Sequence, residues 1–408
     1  MGILMFFLIS FALLFSLGEA IRIELFNNFT IKPIDIFIFF AVLVWGIINK
    51  KSLKKQISFK SPLVLPLFAF ITVLFVSLFL NFYRYSYEEI LVSISYTFRF
   101  ILYSSLYFIV KSFSPTVKEK IINLLIFTGA FFVTLGFVQY FFYSNLRNLY
   151  YSGWDEHMYR LFSTFLDPNF AGAFLVLCSI FLFGLLFYFL AKKLKTRAVF
   201  IGIVIIPTLF AVLFTYSRSA LIMLFVSFFA FTVLAKKIKW FAGLILFGVV
   251  FILISSKNFN IENINLFRIA SSEARIDSAK IALKIISENP IYGVGFNAYR
   301  YAQVNYGFKD STGTIKSHAD AGTDNSFLFV LATAGIIGLI LYLNIFRVIF
   351  KKALGVYKKE KNSSMKKYMA AIVISSTAGI AINAFFINSL FYSFILIWLW
   401  ILLGLIED

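Results

Sequence analysis

Apolar runs of about 20 residues recur from one end of this chain to the other, and no other feature limits its fold as strongly. A run of that length can cross the hydrocarbon core of a bilayer as a helix, which satisfies every backbone hydrogen bond within the segment. Hydrophobic residues make up 61% of the 408 positions, more than soluble domains carry. The sequence therefore predicts an all-α, polytopic membrane helical bundle of about 12 transmembrane helices, at residues 3–18, 34–49, 62–82, 89–110, 120–143, 169–191, 198–214, 219–235, 240–256, 325–346, 368–388 and 390–406.

Basic residues concentrate in every second loop between these runs, around residues 50–60, 192–197, 236–239 and 347–367. Loops rich in Lys and Arg stay in the cytoplasm, so we expect both termini inside and the long loop at residues 257–324 outside, within one integral domain of residues 1–408. The formal net charge of +19 then reflects orientation in a lipid bilayer rather than binding to nucleic acid. A small-residue motif at Gly18–Ala20 leaves open the removal of the first run as a signal peptide.

Two polar segments on the outer side carry candidate ligand-binding arginines. In RLFSTFLDPNFAG, at residues 160–172, Asp167 and Pro168 suit the cap and first turn of a helix, but capping does not account for Arg160. In TYSRSAL, at residues 215–221, a short outward turn holds Arg218 near the bilayer surface. A cation there costs a few kcal/mol unless it is paired or lies in a wet cavity. Snorkelling to the lipid headgroups is the structural alternative.

The long outward loop contains an amphipathic helix. Its sequence, ARIDSAKIALKIISENPIYGVGF, places apolar residues such as Ile276 and Leu283 at helical spacing and lysines on another face, so we expect this helix to lie on the membrane. Asn289-Pro290 should end it. Arg275 stands at its beginning, where a cation opposes the helix dipole. An anionic ligand would explain that position, and pairing with a neighbouring carboxylate is the alternative.

The segment SHADAGTDNSFLFVLATAGIIGL, at residues 317–339, places polar side chains directly before an apolar run. Asp324 or Asn325 can cap the helix that begins at Ser326, so capping alone could explain an acid at this point. His318 is either a functional group or a loop residue without a role. Gly335 and the nearby Gly338 should give the helix a smooth patch for close packing.

Arg99, in SISYTFRFILY, is the one charged residue near the middle of a predicted span. An arginine inside the membrane faces a cavity or a partner far more often than lipid. We therefore expect it to contact a polar or phosphorylated ligand that reaches into the bundle. The only cysteine, Cys178, lies within an apolar run, which excludes an intrachain disulfide and a cysteine metal cluster.

The order of these motifs resembles the O-antigen ligase and polymerase superfamily of bacterial membrane glycosyltransferases. The resemblance is carried by the TYSRSAL turn, the loop helix ending in NPIYGVGF, the TDNSFLFVLATAGIIGL segment and RLFSTFLDPNFAG. It implies glycosyl transfer at the outer face of the cytoplasmic membrane, without a metal or cofactor. The donor would be an undecaprenyl-pyrophosphate-linked oligosaccharide attacked by a sugar hydroxyl. A polymerase would have a chain-length regulator protein as a further partner.

The resemblance also assigns residues. It implies that Arg218 and Arg275 bind the pyrophosphate, a role that suits guanidinium groups because they contact phosphate bidentately. Arg99, Arg160 and Asn325 are further candidates for binding the pyrophosphate or the glycan.

The expected base is Asp324, because the ligases of this superfamily carry a His where this chain has that acid. His318 is the reserve candidate. The missing His favours a polymerase, which adds a repeat to a lipid-linked acceptor repeat, over a ligase that acts on lipid A-core or another acceptor. A lipid-linked sugar transporter is the alternative from another class, although the sequence shows neither internal repeats nor acids at mid-span.

Overall fold

The computed structural model describes residues 2–26, 29–51, 57, 61–255, 264–266, 269–309 and 317–407. They form a helical bundle with one short antiparallel hairpin, β1 (Ile23–Phe26) and β2 (Phe29–Ile31). Its α-helices, numbered in chain order, are α1 (Gly2–Leu17), α2 (Pro33–Ile48), α3 (Val64–Leu80), α4 (Tyr87–Lys111), α5 (Pro115–Phe142), α6 (Pro168–Ala191), α7 (Lys195–Phe214), α8 (Arg218–Leu234), α9 (Lys239–Ser255), α10 (Ala270–Glu288), α11 (Tyr299–Asn305), α12 (Ser326–Lys359), α13 (Met365–Asn383) and α14 (Ser393–Leu405).

The predicted all-α architecture is confirmed in the described residues, and each predicted apolar run coincides with a helix. Five helices combine the length and hydropathy needed to cross a membrane, and shorter apolar helices accompany them. Large apolar side chains such as Ile47 and Phe142 are exposed on the outside of the bundle, as expected for contact with lipid. The chain is therefore built as a polytopic membrane protein. The count of 12 crossings and the outward position of residues 257–324 stay predictions, and parts of that loop (256–263, 267–268 and 310–316) lie outside the described residues.

Helix α6 forms the centre of the bundle, because it is buried along most of its length and packs against α7, α8 and α13. Its apolar residues surround the helix rather than lying on one face, which is the pattern of a helix with protein on all sides. Phe174 and Phe181 on α6 contact the indole of Trp398 on α14, with ring centroids 5.1 and 5.6 Å away. Phe15 of α1 joins this aromatic core at 5.2 Å from Phe174.

The loops gather alternately at the two ends of the bundle. One end, called the site end here, holds the described residues 18–26, 29–32, 147–167, 215–217, 269–309, 317–325 and 384–392. These segments are joined by backbone hydrogen bonds, for example from His318 to Gly153 (3.0 Å) and from Ser326 to Ala384 (2.8 Å). At the opposite end, Lys352 forms an ion pair of 2.6 Å with Glu407. Tyr357 OH donates to Leu234 O, and the rings of Tyr188 and Tyr368 lie 5.9 Å apart, so the basic loops at residues 192–197, 236–239 and 347–367 share the end opposite to the site end.

Helix α12 is interrupted at Gly335, and at this point its backbone pairs with the segment that follows the loop helix α10. Gly335 has φ 65° and ψ −171°, a conformation that only glycine adopts readily, and it interrupts the helix. The opened backbone pairs with the segment after α10: the Val294 amide donates to Ala332 O (2.9 Å), and the Ile336 amide donates to Pro290 O (2.9 Å). Gly335 therefore does more than provide the smooth packing patch expected from the sequence, because it creates a backbone junction between α10 and α12.

Helix α10 begins earlier in the chain than predicted. It begins at Ala270, so Arg275 lies in its second turn rather than at its beginning, and the argument from the helix dipole does not apply. The predicted end at Asn289 is confirmed. One face, with Ala282 and Ile285, is buried and α10 packs on α12, whereas Ile276 is exposed. This exposed apolar side agrees with the expected contact to the membrane surface, which stays a prediction.

Candidate functional site

A cavity of about 440 Å³ opens at the site end, which is within the size range of small-molecule sites. Its described lining combines acids, cations and aromatic rings, and it includes Asp324, His318 and Arg99 from the set selected by sequence. The described lining does not include Arg218, Arg275, Arg160 or Asn325. Ala274, which precedes Arg275 in α10, does line the cavity, so Arg275 stands next to its wall, and Arg218 contacts the same helix at Ser271.

The structure separates the roles of Asp324 and Asn325. Asn325 caps α12, because its Oδ1 accepts from the amides of Phe327 (2.9 Å) and Leu328 (3.0 Å). Capping therefore does not explain Asp324, which lines the cavity and is exposed within it. Asn325 is committed to the helix start by these bonds and by a 3.3 Å bond from Nδ2 to Phe385 O.

The environment of Asp324 favours a carboxyl group that can exchange a proton. Desolvation by the surrounding protein raises the pKa of Asp324, the positive charge of Arg275 lowers it, and the carboxylate of Asp167 raises it. The net shift is upward. An acid with a raised pKa is a better proton acceptor from a sugar hydroxyl than an ordinary aspartate, provided that it is ionised at the working pH.

One face of α10 connects the two family arginines with this acid. Ser271, Arg275 and Ser278 lie four and three residues apart and therefore share a helix face. At one end of this face, Arg218 Nη2 donates to Ser271 Oγ at 2.5 Å. At the other end, the Asp324 amide lies 3.4 Å from Ser278 Oγ. Arg275, between them, interacts electrostatically with both Asp324 and Arg218.

Arg218 lies close enough to Arg275 to affect the pKa of Arg275. Burial lowers its pKa, Asp324 raises it, and the positive charge of Arg218 lowers it, with a downward net shift. Two cations held close together attract an anion. The snorkelling alternative for Arg218 does not fit this position, because its guanidinium contacts the loop helix.

Arg160 holds the turn that carries Arg218. Its side chain is buried, Nε donates to Thr215 O at 2.8 Å, and Nη2 lies 3.4 Å from Asn169 Oδ1. The same Asn169 oxygen accepts from Ser217 Oγ at 3.0 Å. These contacts fix the 215–217 turn to the start of α6, where Asp167 is the helix cap as predicted. The geometry therefore gives Arg160 a positioning role, one step removed from the cavity.

Arg99 lies at a different part of the cavity and has a protein partner. Its Nε forms a 3.0 Å ion pair with Asp35 of α2, and Nη2 donates to Thr30 O. Tyr103 OH also donates to Asp35. Arg99 therefore faces both a cavity and a partner, as is usual for an intramembrane arginine, and its expected contact with a ligand stays a prediction. No local sequence pattern connects Asp35 with Arg99, since 64 residues separate them.

Both histidines of the chain line the cavity. Burial, followed by the positive charges of Arg22 and Arg300, lowers the pKa of His318 to about 3. A group with so low a pKa is a weak base, so His318 is less suited to general-base catalysis than Asp324. His157 lies 3.8 Å from Asp167, measured from Nε2 to Oδ2.

Sequence reasoning missed the acid Asp155, which lines the cavity in the loop before α6. Burial raises the pKa of Asp155, and the carboxylates of Asp167, Asp324 and Asp320 raise it further. The signal that could have found it is the dense polar tract WDEH at residues 154–157, directly before RLFSTFLDPNFAG. Arg22, Lys32 and Arg300 of the cavity were also missed, because single basic residues in outward loops carry no pattern.

Residues 202–343 match the family model described as O-antigen ligase. This match covers the Arg218 turn, α10 with Arg275, and the Asp324 segment, which are the parts that meet in space. It confirms the resemblance to the O-antigen ligase and polymerase superfamily and indicates a membrane enzyme of that kind. A search of curated proteins finds no match.

Proposed function

We propose that this relative of the O-antigen ligases and polymerases is a polymerase-type glycosyltransferase of the cytoplasmic membrane. It moves a glycan from undecaprenyl pyrophosphate onto a sugar hydroxyl of a lipid-linked acceptor repeat at the outer face, without a metal. The observation that carries this proposal is the α10 face that holds Arg275 between Arg218 and Asp324. This face joins the two cations to Asp324, which lines the cavity and has a raised pKa, and that arrangement supports the proposal.

In the reaction, negative charge develops on the leaving pyrophosphate and a proton leaves the attacking hydroxyl. The two arginines serve the first change and Asp324 serves the second. As the acceptor oxygen forms a bond to the anomeric carbon, the bond from that carbon to the pyrophosphate oxygen breaks. Arg218 and Arg275 stabilise the negative charge that develops on the leaving pyrophosphate. Asp324 accepts the proton of the attacking hydroxyl. The cationic pair does for the leaving group what a bound metal does in other transferases.

The aromatic lining of the cavity suits a carbohydrate. Rings such as Trp154, Tyr301 and Phe391 line it together with the acids. Sugars present C–H faces to aromatic rings and hydroxyls to polar groups, so a mixed lining can hold a glycan chain without depending on one contact.

A ligase is the second candidate, and the family model is itself described by that activity. Asp324 in place of the ligase histidine supports the polymerase. The two activities differ in the acceptor, which is a lipid-linked repeat for a polymerase and a separate molecule such as lipid A-core for a ligase. The lipid-linked sugar transporter would use the same cavity without breaking a glycosidic bond.

The deciding experiment incubates the purified chain with an undecaprenyl-pyrophosphate-linked repeat as sole substrate and analyses the products on a gel. A ladder of glycans identifies a polymerase. Transfer that appears only after a separate acceptor is added identifies a ligase, and no transfer to any acceptor refutes the glycosyltransferase proposal in favour of transport.

The arginine roles are tested with Arg218→Ala and Arg275→Ala. Removal of one such donor typically costs about 100-fold or more in rate, and we expect at least that loss in each variant. Lys280→Ala is the matched control, because this cation also lies on α10 but is exposed and paired with Asp277 at 2.9 Å. Near-normal transfer by either arginine variant would refute the pyrophosphate role.

A further inference from the structure

A second group of cations lines the cavity, contributed by elements other than those that carry the family arginines. Lys32 precedes α2, Arg99 lies in α4, and Arg300 lies in α11. Tyr96 interacts electrostatically with all three, so they face one region of the cavity. By contrast, the electrostatic partners of Arg275 are Asp324, Arg218 and Asp167. The two groups of cations are therefore distinct.

The acid beside Arg99 does not account for all of the donors of this arginine. Arg99 is only 7% exposed, and its Nη1 has no hydrogen-bond partner although Nε and Nη2 are satisfied. Lys32 is also buried and pairs with Glu19 at 2.5 Å. A buried guanidinium N–H without a partner is costly, and a pair that served only the fold would be expected to satisfy it.

Two further residues that line the same cavity, His318 and Asn388, carry unpaired polar atoms. His318 Nε2 lies in the turn before α12, and Asn388 Oδ1 lies in the loop before α14. Both atoms are buried and have no hydrogen-bond partner in the described residues. Together with Arg99 Nη1, they give three unmet hydrogen-bonding atoms on residues that line one cavity, and unpaired polar atoms grouped in this way favour a site for a polar ligand.

We infer that Lys32, Arg99 and Arg300 form a second anion subsite, which binds a carboxylate or phosphate group of a substrate separately from the donor pyrophosphate. This inference rests on the proposed function for the identity of the substrate. The planar guanidinium of Arg99 and that of Arg300 suit either anion. The anionic group comes from an acidic sugar of the glycan or from the pyrophosphate of the lipid-linked acceptor.

The test uses three probes on the full chain in lipid nanodiscs. They are an oligosaccharide that contains a glucuronic acid, its carboxyl-reduced neutral counterpart, and inorganic pyrophosphate. Pyrophosphate binding is measured in the Arg218→Ala background so that the donor subsite contributes little. None of these probes needs to be turned over, so the measurements do not depend on transferase activity.

Two variants remove the subsite in different ways. Arg300→Gln removes a cation from a short helix at the site end. The double variant Asp35→Asn/Arg99→Gln removes the buried guanidinium without leaving its carboxylate partner charged and unpaired. Arg147→Gln is the matched control, because Arg147 lies at the same end but is 67% exposed and paired with Glu156. If the double variant does not fold, Arg300→Gln carries the test alone.

A charge-assisted contact of this kind is worth about 10-fold or more in affinity. We expect the acidic oligosaccharide to bind at least about 10-fold more tightly than its neutral counterpart, and this preference to fall to about twofold in both subsite variants but not in Arg147→Gln. That result assigns the subsite to a glycan carboxylate. If the subsite variants instead weaken only the binding of pyrophosphate, by a similar factor, the subsite is assigned to the acceptor headgroup. Unchanged binding of both probes in the subsite variants overturns the inference.

The two proposals can fail separately. Active transfer by Arg218→Ala would refute the donor role of Arg218 and would leave the glycan-binding measurements untouched. Equal binding of the acidic and neutral glycans, together with unchanged pyrophosphate binding, would refute the second subsite and would leave the transfer reaction untouched.

Discussion

Replacement of Gly335 by Ala should destabilise the protein more than the addition of one methyl group at any other position of α12. Its φ of 65° with ψ −171° lies in a region used almost only by glycine, which costs about 1–3 kcal/mol for another residue. A Cβ at this position would also lie only 2.0 Å from Ile291 O. That overlap must separate the two backbones and weaken the junction bonds made by Val294, Gly295 and Ile336.

The expected loss follows from these contacts. Each backbone hydrogen bond contributes about 1 kcal/mol, so the three bonds and the conformational strain together give a destabilisation of about 4–6 kcal/mol. The measurement is the free energy of unfolding of the purified variant in detergent, with transfer activity measured alongside. We expect activity to fall as well, because the junction fixes α10, and with it Arg275, against the segment that carries Asp324.

Gly355→Ala is the matched control on the same helix. Gly355 has helical geometry, and a Cβ there would meet nothing within 4 Å. Alanine at an unstrained helical position should stabilise by about 0.5–1 kcal/mol. A free energy of unfolding for Gly335→Ala within about 1 kcal/mol of the wild type would refute the reasoning, since neither the strain nor the overlap could then be present.

Four further outcomes are expected. Asp324→Asn should lower the transfer rate by about 10²–10⁴-fold. The wild-type rate should fall as the pH drops through the raised pKa of Asp324, because only the ionised carboxylate accepts a proton, and this fall should be absent in the variant. Asp320→Asn is the control, and an unchanged pH profile in Asp324→Asn would exclude Asp324 as the base. Arg160→Gln should lower the melting temperature and reduce transfer in parallel, because its bonds hold the Arg218 turn; reduced transfer with unchanged stability would contradict a positioning role. Lys309→Cys should react with an impermeant thiol reagent from outside the cell, and protection would invert the topology. Transfer should continue after treatment with a chelator, so a strict requirement for a divalent metal would exclude the mechanism.

The helices and their ends could be predicted because each depends on nearby residues. Asp167 and Pro168 start α6, Asn289 ends α10, and the start of α12 at Ser326 follows from its polar cap, all as expected. The choice between Asp324 and Asn325 as that cap could not be made, because both residue types cap helices equally well. Only the bonds of Asn325 show which one is committed to the helix and which one faces the cavity.

The cationic and acidic groups of the cavity show the other limit of sequence reasoning. Asp35 and Arg99 are 64 residues apart, and Asp155 approaches Asp324 across an even longer separation, so no local pattern relates them. Arg160 looked like a ligand contact because capping did not explain it. Its Nε instead donates to Thr215 O, on a turn 55 residues later in the chain.

The amino-acid sequence by itself determined that this chain forms a membrane bundle, where its helices run, and which four segments carry the resemblance to the O-antigen ligases and polymerases. These properties depend on hydropathy, helix capping and short motifs, all of which act over a few residues. The tertiary structure decided which polar residues meet: it separated the α10 face with Arg218, Arg275 and Asp324 from the second cation group, and it made Gly335 a junction. Such contacts depend on how distant helices pack, and packing is set by the whole bundle rather than by any one segment.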